Sequence, residues 1–159
     1  MNKERQLSMI KTGFMMLGTI IGNKLGILAP AMLLLIFLMM VDYVSGMLAS
    51  KKEAVEYPND ARYGWSSRKS IIGIYKKVGY MLTVLVAVST DYLIYKFLGE
   101  MGISYQMKTT FGLLVVIWLI LNELLSILEN ASRMGAILPQ FVSNALVELK
   151  KNIERENDK

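Results

Sequence analysis

The stretch AMLLLIFLMMV (residues 31–41) places eleven apolar residues in succession. It lies within a longer apolar block, residues 25–49, in which Asp42 is the only charged residue. A helix needs about 20 mainly apolar residues to cross a hydrocarbon core of about 30 Å. The block therefore predicts a membrane-spanning helix.

Two further blocks have the length and apolar character of a membrane span. Residues 78–98 contain Asp91 and, near their end, Lys96, and residues 109–128 contain Glu123 as their only charge. The sequence thus predicts an all-α integral membrane protein with three transmembrane helices. Each helix carries an acidic residue, and none carries a basic partner for it in the apolar core.

The two ends of the chain differ from this central region, residues 25–135. Residues 1–24 begin with charges and continue with an uncharged stretch, residues 12–23, that is short for a span. They predict an interfacial or partly inserted amphipathic helix, with a short fourth membrane helix as the open alternative. Residues 136–159 predict a cytoplasmic amphipathic helix after Pro139, followed by a charged tail.

Composition excludes several classes of function. The 159 residues include no cysteine and no histidine, which removes thiol nucleophiles, disulfides, imidazole bases and most zinc, copper and haem sites. Neither a glycine-rich phosphate loop nor a catalytic-triad spacing occurs in the sequence, so we expect no enzyme, no cofactor and no metal. The net charge of +5 comes from basic residues that flank apolar segments. This pattern favours membrane topology and lipid contact over nucleic-acid binding.

The distribution of basic residues predicts the orientation in the membrane. Residues 50–77 hold seven lysines and arginines, whereas the link at residues 99–108 holds only Lys108. The positive-inside rule therefore predicts that residues 50–77 and the C-terminus are cytoplasmic. Three spans would place the N-terminus outside, against its own basic residues, so the side on which it lies stays open.

Carboxylates inside the spans are the first candidates for function. A charged Asp or Glu at mid-bilayer costs on the order of 2.5–3.5 kcal/mol, so such residues usually face a bundle interior or a water-filled path. Asp42 and Glu123 both fall in the cytoplasmic half of the bilayer, where Lys76 and Lys77 enter the second span. We expect these lysines to attract the two carboxylates, while the role of Asp91 is undecided.

Two explanations of these carboxylates stay open. Either they are protonated or satisfied within one packed bundle, or they face a lumen. The residues concerned form a predicted intramembrane polar seam: Asp42, Ser45, Asn122, Glu123 and Ser126. Polar residues also recur along one stripe of the third span and beyond it: Asn122, Ser126, Glu129, Asn130 and Arg133.

Glycine spacing predicts a helix-packing surface near the N-terminus. Gly18, Gly22 and Gly26 fall at i, i+4 and i+8. This double GxxxG pattern lets helices approach closely in lipid.

Several motifs together resemble a known family. In order along the chain they are VDYVSGMLA (residues 41–49), SSRKS (66–70), GIYKK (73–77), NELLSILENA (122–131), MG (134–135) and LP (138–139). This order over residues 30–141 resembles the phage-lysis and toxin-secretion holin family. The NELLSILENA run is its most specific part.

The resemblance implies a phage- or prophage-encoded protein of the bacterial inner membrane. Such a protein would accumulate, form homo-oligomers and open lesions that release an endolysin or a large toxin. Asp42, Glu123 and Ser126 would then line or seal a seam between subunits. Basic residues near the second span would bind anionic inner-leaflet lipid: Arg68, Lys69, Lys76 and Lys77. The alternatives are a non-lytic membrane scaffold that recruits a soluble partner and a small ion channel.

Overall fold

Three long helices make up most of the protein. The computed structural model describes residues 4–9, 11–12, 22, 26–60, 63–64, 66–104, 106, 109–145 and 147–148. Helix α1 is Leu28–Glu56, α2 is Ser67–Glu100 and α3 is Thr110–Arg133, and the described residues include no strand. All three helices are long and apolar enough to cross a membrane. The prediction of an all-α membrane protein with three spanning helices is confirmed.

The helices are longer than the predicted spans. Helix α1 continues past residue 49 to Glu56, and α2 begins at Ser67, well before residue 78. Backbone hydrogen bonds sustain a helix in water as well as in lipid, so a change from apolar to charged residues does not end it. The exposed end of α1 is further supported by a salt bridge from Lys52 Nζ to Glu56 Oε2 at 2.7 Å.

Glycines end α2 and α3 in the same way. Gly102 (φ 76°) follows α2, where Ile103 N–H donates to the Leu98 carbonyl oxygen at 3.0 Å. Gly135 (φ 97°) follows α3, where Ala136 N–H donates to the Ala131 carbonyl oxygen at 3.0 Å. These are the long-range bonds of the Schellman motif, which needs a left-handed residue that glycine supplies most cheaply.

The chain divides into two compact units, to each of which all three helices contribute. The first comprises Met1–Leu35 and Leu82–Ile117, and the second comprises Ile36–Met81 and Trp118–Lys159. Buried apolar side chains of the first unit are Leu28, Leu35, Val84, Ala87 and Val116. Those of the second are Leu38, Met39, Ala49, Leu119 and Val142. Many large apolar side chains of all three helices are exposed, which suits helices surrounded by lipid.

The ends of the chain are described only in part. Residues 4–9 and 11–12 are helical, but the question of an N-terminal span falls largely on residues 13–21, outside the described residues. After Pro139, residues 140–145 and 147–148 are helical, where an amphipathic helix is predicted. The Pro139 carbonyl oxygen accepts the N–H of Val142 at 3.0 Å. The rest of this predicted helix and charged tail, residues 149–159, lies outside the described part of the chain.

Candidate functional site

The second unit contains a set of polar side chains inside the apolar helices. On α1, Ser45 and Glu53 follow Asp42 by three and eleven residues, and both spacings return to the same helix face. On α3, Glu123, Asn130 and Arg133 share a face for the same reason. Helix α2 brings Lys77 to these two faces.

Lys77 is shared by two carboxylates. Its Nζ lies 2.9 Å from Asp42 Oδ2 and 2.6 Å from Glu123 Oε2. The side chains are well enclosed, with 17% of Lys77, 17% of Asp42 and 4% of Glu123 exposed. We call these three residues the lysine site. One ammonium group therefore joins α2 to both α1 and α3.

Asn130 extends the lysine site toward the end of α3. Its Nδ2 donates to Asp42 Oδ1 at 3.1 Å and to Ser45 Oγ at 3.0 Å. The Ser45 hydroxyl in turn donates to the backbone carbonyl oxygen of Asp42 at 3.0 Å. Asp42 is consequently held by an amide and an ammonium group from two different helices.

Arg133 connects Glu53 with Asn130. Its Nε and Nη2 donate to the two carboxylate oxygens of Glu53 at 2.8 and 2.7 Å, and its Nη1 donates to Asn130 Oδ1 at 3.1 Å. A planar fork of this kind is the strong geometry of an arginine–carboxylate pair. We call the complete set the polar network: Asp42, Ser45, Glu53, Lys77, Glu123, Asn130 and Arg133.

The polar network borders a cavity of about 230 Å³. Asp42, Glu53, Lys69, Lys77 and Arg133 are among its lining residues. A water molecule occupies about 30 Å³, so the cavity has room for several. Water therefore has room beside the lysine site.

Charge balance distinguishes the two ends of the polar network. Glu53 and Arg133 form a one-to-one pair, whereas the lysine site opposes two carboxylates to one ammonium group. Because an unpaired charge in hydrocarbon costs several kcal/mol, the lysine site is stable only while its helices stay together or while water reaches it. Among the described residues, every buried side-chain nitrogen or oxygen has a hydrogen-bond partner.

The structure brings together part of the predicted seam. Asp42 and Glu123 are linked through Lys77, and Asp42 and Ser45 through Asn130. Asn122 and Ser126 make none of the hydrogen bonds of the polar network among the described residues. The expected attraction of a lysine to both carboxylates is confirmed for Lys77. It is wrong for Lys76, which is exposed and lies with its Nζ 5.6 Å from the centre of the Tyr80 ring.

Sequence reasoning missed Glu53, which lies beyond the predicted first span, residues 25–49. The missing signal was spacing: Glu53 continues the Asp42 face of α1 three turns further along. Of the predicted lipid-contact residues, Arg68, Lys69 and Lys76 are exposed, whereas Lys77 is enclosed in the lysine site. Contact of the exposed three with lipid stays a prediction.

The predicted glycine surface is interrupted. Gly26 has a φ of 52°, and its N–H donates to the Gly22 carbonyl oxygen at 2.9 Å, as at the end of a helix. A side chain at Gly22 or Gly26 would meet nothing within 4 Å in this chain. Gly26 therefore does not extend a helical face from Gly22. Gly18 lies outside the described residues, and packing of Gly18 and Gly22 against another helix stays a prediction.

Asp91 has a structural explanation within the first unit. Its Oδ1 accepts the N–H of Phe111 at 3.0 Å, and its Oδ2 accepts the N–H of Gly112 at 2.8 Å. These donors belong to the first turn of α3, where no carbonyl of the helix can reach them. Asp91, only 4% exposed, thus caps α3 from α2. Gly112 permits this approach, since a Cβ there would lie 2.9 Å from Val88 Cγ2.

These features define the class of the protein as an all-α integral membrane protein with three spanning helices and charged groups paired inside them. Sequence comparison gives the family. Residues 19–151 match the bacteriophage holin family, and the chain belongs to it. The assignment expected from the sequence motifs is confirmed.

Several bacterial proteins are similar to this chain. An uncharacterized protein of Halalkalibacterium halodurans is 32% identical over 117 residues, which are 74% of this chain and 76% of the relative. An uncharacterized protein of Listeria monocytogenes is 29% identical over 138 residues, 87% of this chain and 84% of the relative. One of Clostridium perfringens is 29% identical over 147 residues, 91% and 95% of the two chains. No solved structure matches the chain significantly.

Proposed function

We propose that this protein acts as a holin. It accumulates in the bacterial inner membrane, forms homo-oligomers and opens lesions through which an endolysin or a large toxin leaves the cytoplasm. Its role is non-enzymatic and needs no cofactor. The observation that carries the proposal is the lysine site, found inside the spanning helices of a member of the bacteriophage holin family.

The lysine site suits a helix assembly that has a closed and an open arrangement. In the closed arrangement Lys77 forms salt bridges with a carboxylate of α1 and with one of α3. Separation of α2 would leave three charges that lipid cannot solvate, each at a cost of about 2.5–3.5 kcal/mol. The helices would therefore separate only where these charges face water, as on the wall of a lesion.

The proposed orientation follows from the basic residues. Residues 50–77 and the C-terminal region are cytoplasmic, since these two parts of the chain carry most of its lysines and arginines. The cavity beside the lysine site is lined by Lys69 in the first turn of α2 and by Ser66, which precedes the helix. In this orientation the cavity connects the lysine site with cytoplasmic water.

Inducible expression in a bacterial host without an endolysin tests the proposal. A potential-sensitive dye should report an abrupt collapse of the membrane potential after a delay, and a co-expressed endolysin should then lyse the cells. Graded, ion-selective depolarisation would instead indicate a small channel. An unchanged potential at full membrane expression would indicate a non-lytic scaffold, and either result would refute the proposal.

A pair of lysine variants links the test to the structure. Lys77→Met removes the shared cation, so we expect the collapse to begin earlier after induction than in the wild type. Lys76→Met removes the neighbouring charge, which lies outside the polar network, and should leave the timing unchanged. Equal timing in both variants would show that the lysine site does not control lesion formation.

A further inference from the structure

One face of α3 carries polar side chains that the polar network does not use. Trp118, Asn122 and Ser126 stand at i, i+4 and i+8, and we call them the α3 polar row. Adjacent residues of a helix point about 100° apart, so Asn122 is turned away from the lysine site that Glu123 enters. Trp118 is 65% exposed, and Asn122 and Ser126 are half-buried.

The α3 polar row lies deep within the spanning helix. Asn122 is twelve residues from Thr110 and eleven from Arg133, the first and last residues of α3. At about 1.5 Å per residue it lies roughly 16–18 Å from either end of the helix. At that depth, the part of the Asn122 side chain that the described residues leave exposed meets hydrocarbon rather than water.

Polar side chains at exposed positions within the spanning helices are hydrogen-bonded differently on α3 and α2. On α2, the exposed Ser89 and Thr90 hydroxyls donate to the carbonyl oxygens four residues earlier, at 2.8 and 3.0 Å. Each is therefore satisfied by its own helix while it faces lipid. Among the described residues, the side chains of the α3 polar row have no hydrogen-bond partner. The side chains of the row are therefore open to donors and acceptors from another molecule.

We propose that the α3 polar row is a contact between copies of this chain, in which Asn122 of one copy hydrogen-bonds Asn122 of the next. A carboxamide both donates and accepts, so two of them satisfy each other across a two-fold axis. The small Ser126 one turn away lets two helices approach closely. The choice of a second copy as partner rests on the proposed function, in which one chain accumulates in the membrane.

Disulfide cross-linking tests this contact directly. The chain contains no cysteine, so a single introduced cysteine reports only on its own position. Ser126→Cys places the thiol in the α3 polar row, and Ser89→Cys places it on an exposed face of α2 as the matched control. Oxidation in native membranes should convert Ser126→Cys to a dimer of twice the chain mass several-fold more than Ser89→Cys. Equal yields, or an adduct with a different protein, would overturn the proposal.

The role of the carboxamide needs a second comparison. In the Ser126→Cys background, Asn122→Leu should weaken dimerisation about three- to thirty-fold, as expected when an interhelical hydrogen bond in a membrane is lost. Asn122→Gln keeps both hydrogen-bonding functions and should preserve dimerisation. An Asn122→Leu protein that dimerises as well as the unsubstituted one would refute the contact. Leucine suits a lipid-facing position, so insertion should be unaffected, which membrane fractionation verifies.

The same cells distinguish this inference from the proposed function. Membrane potential is recorded while the cross-link forms. An Asn122-dependent dimer without depolarisation would support the contact and contradict holin activity. Depolarisation with no preference for the α3 polar row would support holin activity and contradict the contact.

Discussion

The Lys77→Met variant tests most directly how much the lysine site contributes to stability. Methionine is apolar, flexible and similar in length to lysine, so the variant removes the ammonium charge with little change in volume. Asp42 Oδ2 and Glu123 Oε2 lie 2.9 and 2.6 Å from Nζ, so they are less than about 6 Å apart. At that distance two carboxylates repel each other by about 3 kcal/mol if the effective dielectric constant is 20.

The expected loss of stability follows from this geometry. Removing one partner of a buried ion pair typically costs about 3–5 kcal/mol, because the remaining charge stays uncompensated. We expect Lys77→Met to lower the free energy of unfolding by about 3–4 kcal/mol. Asp42→Asn leaves one carboxylate for one ammonium group and should cost roughly 1 kcal/mol, the net worth of a typical hydrogen bond. The triple variant with Lys77→Met, Asp42→Asn and Glu123→Gln should recover most of the loss.

Unfolding in mixed micelles measures these differences. The purified protein is titrated with sodium dodecyl sulfate, and loss of structure is followed by circular dichroism. Lys76→Met serves as the matched control, since it removes the adjacent lysine without touching the lysine site. A Lys77→Met protein that unfolds at the same detergent fraction as the control would refute the reasoning. An Asp42→Asn protein that loses as much stability as Lys77→Met would refute the charge-balance argument.

Three further substitutions test other contacts by the same unfolding titration. Asp91→Ala leaves two N–H groups at the start of α3 without an acceptor and should cost about 1–3 kcal/mol, and a cost near zero would contradict the cap. Gly112→Ala sets a Cβ 2.9 Å from Val88 Cγ2, and we expect a loss of about 1–3 kcal/mol from overpacking. Glu53→Gln weakens the fork with Arg133, but the pair is partly exposed, so the loss should stay below about 1 kcal/mol.

The three spans were predictable because hydrophobic length is a local property of the sequence. Residues 31–41 need no tertiary contact to identify a segment that prefers lipid. The ends of the helices were not predictable in this way. Residues 50–56 are charged but remain helical, because backbone hydrogen bonds and the Lys52–Glu56 pair favour the helix in water.

The candidate site was predictable only in part, since its contacts join residues far apart in sequence. Depth in the bilayer was enough to associate Lys77 with Asp42 and Glu123. Depth could not place Asn122, because adjacent residues on a helix face different directions and only one of Asn122 and Glu123 can reach the lysine site. Asp91 could not be assigned from side-chain chemistry, because its partners are backbone N–H groups.

Three sets of polar groups in the spans differ in how their hydrogen bonds and charges are satisfied. The charges of the lysine site contact one another within one chain, so they do not require a second chain. The Ser89 and Thr90 hydroxyls are satisfied by their own helix and do not require a neighbour. Of these three, the α3 polar row is the one without a partner among the described residues, so it is the one that gains from a second chain. On the proposed function, self-association through α3 would therefore precede any separation of α2, since pairing carboxamides costs no buried charge, whereas opening the lysine site costs three.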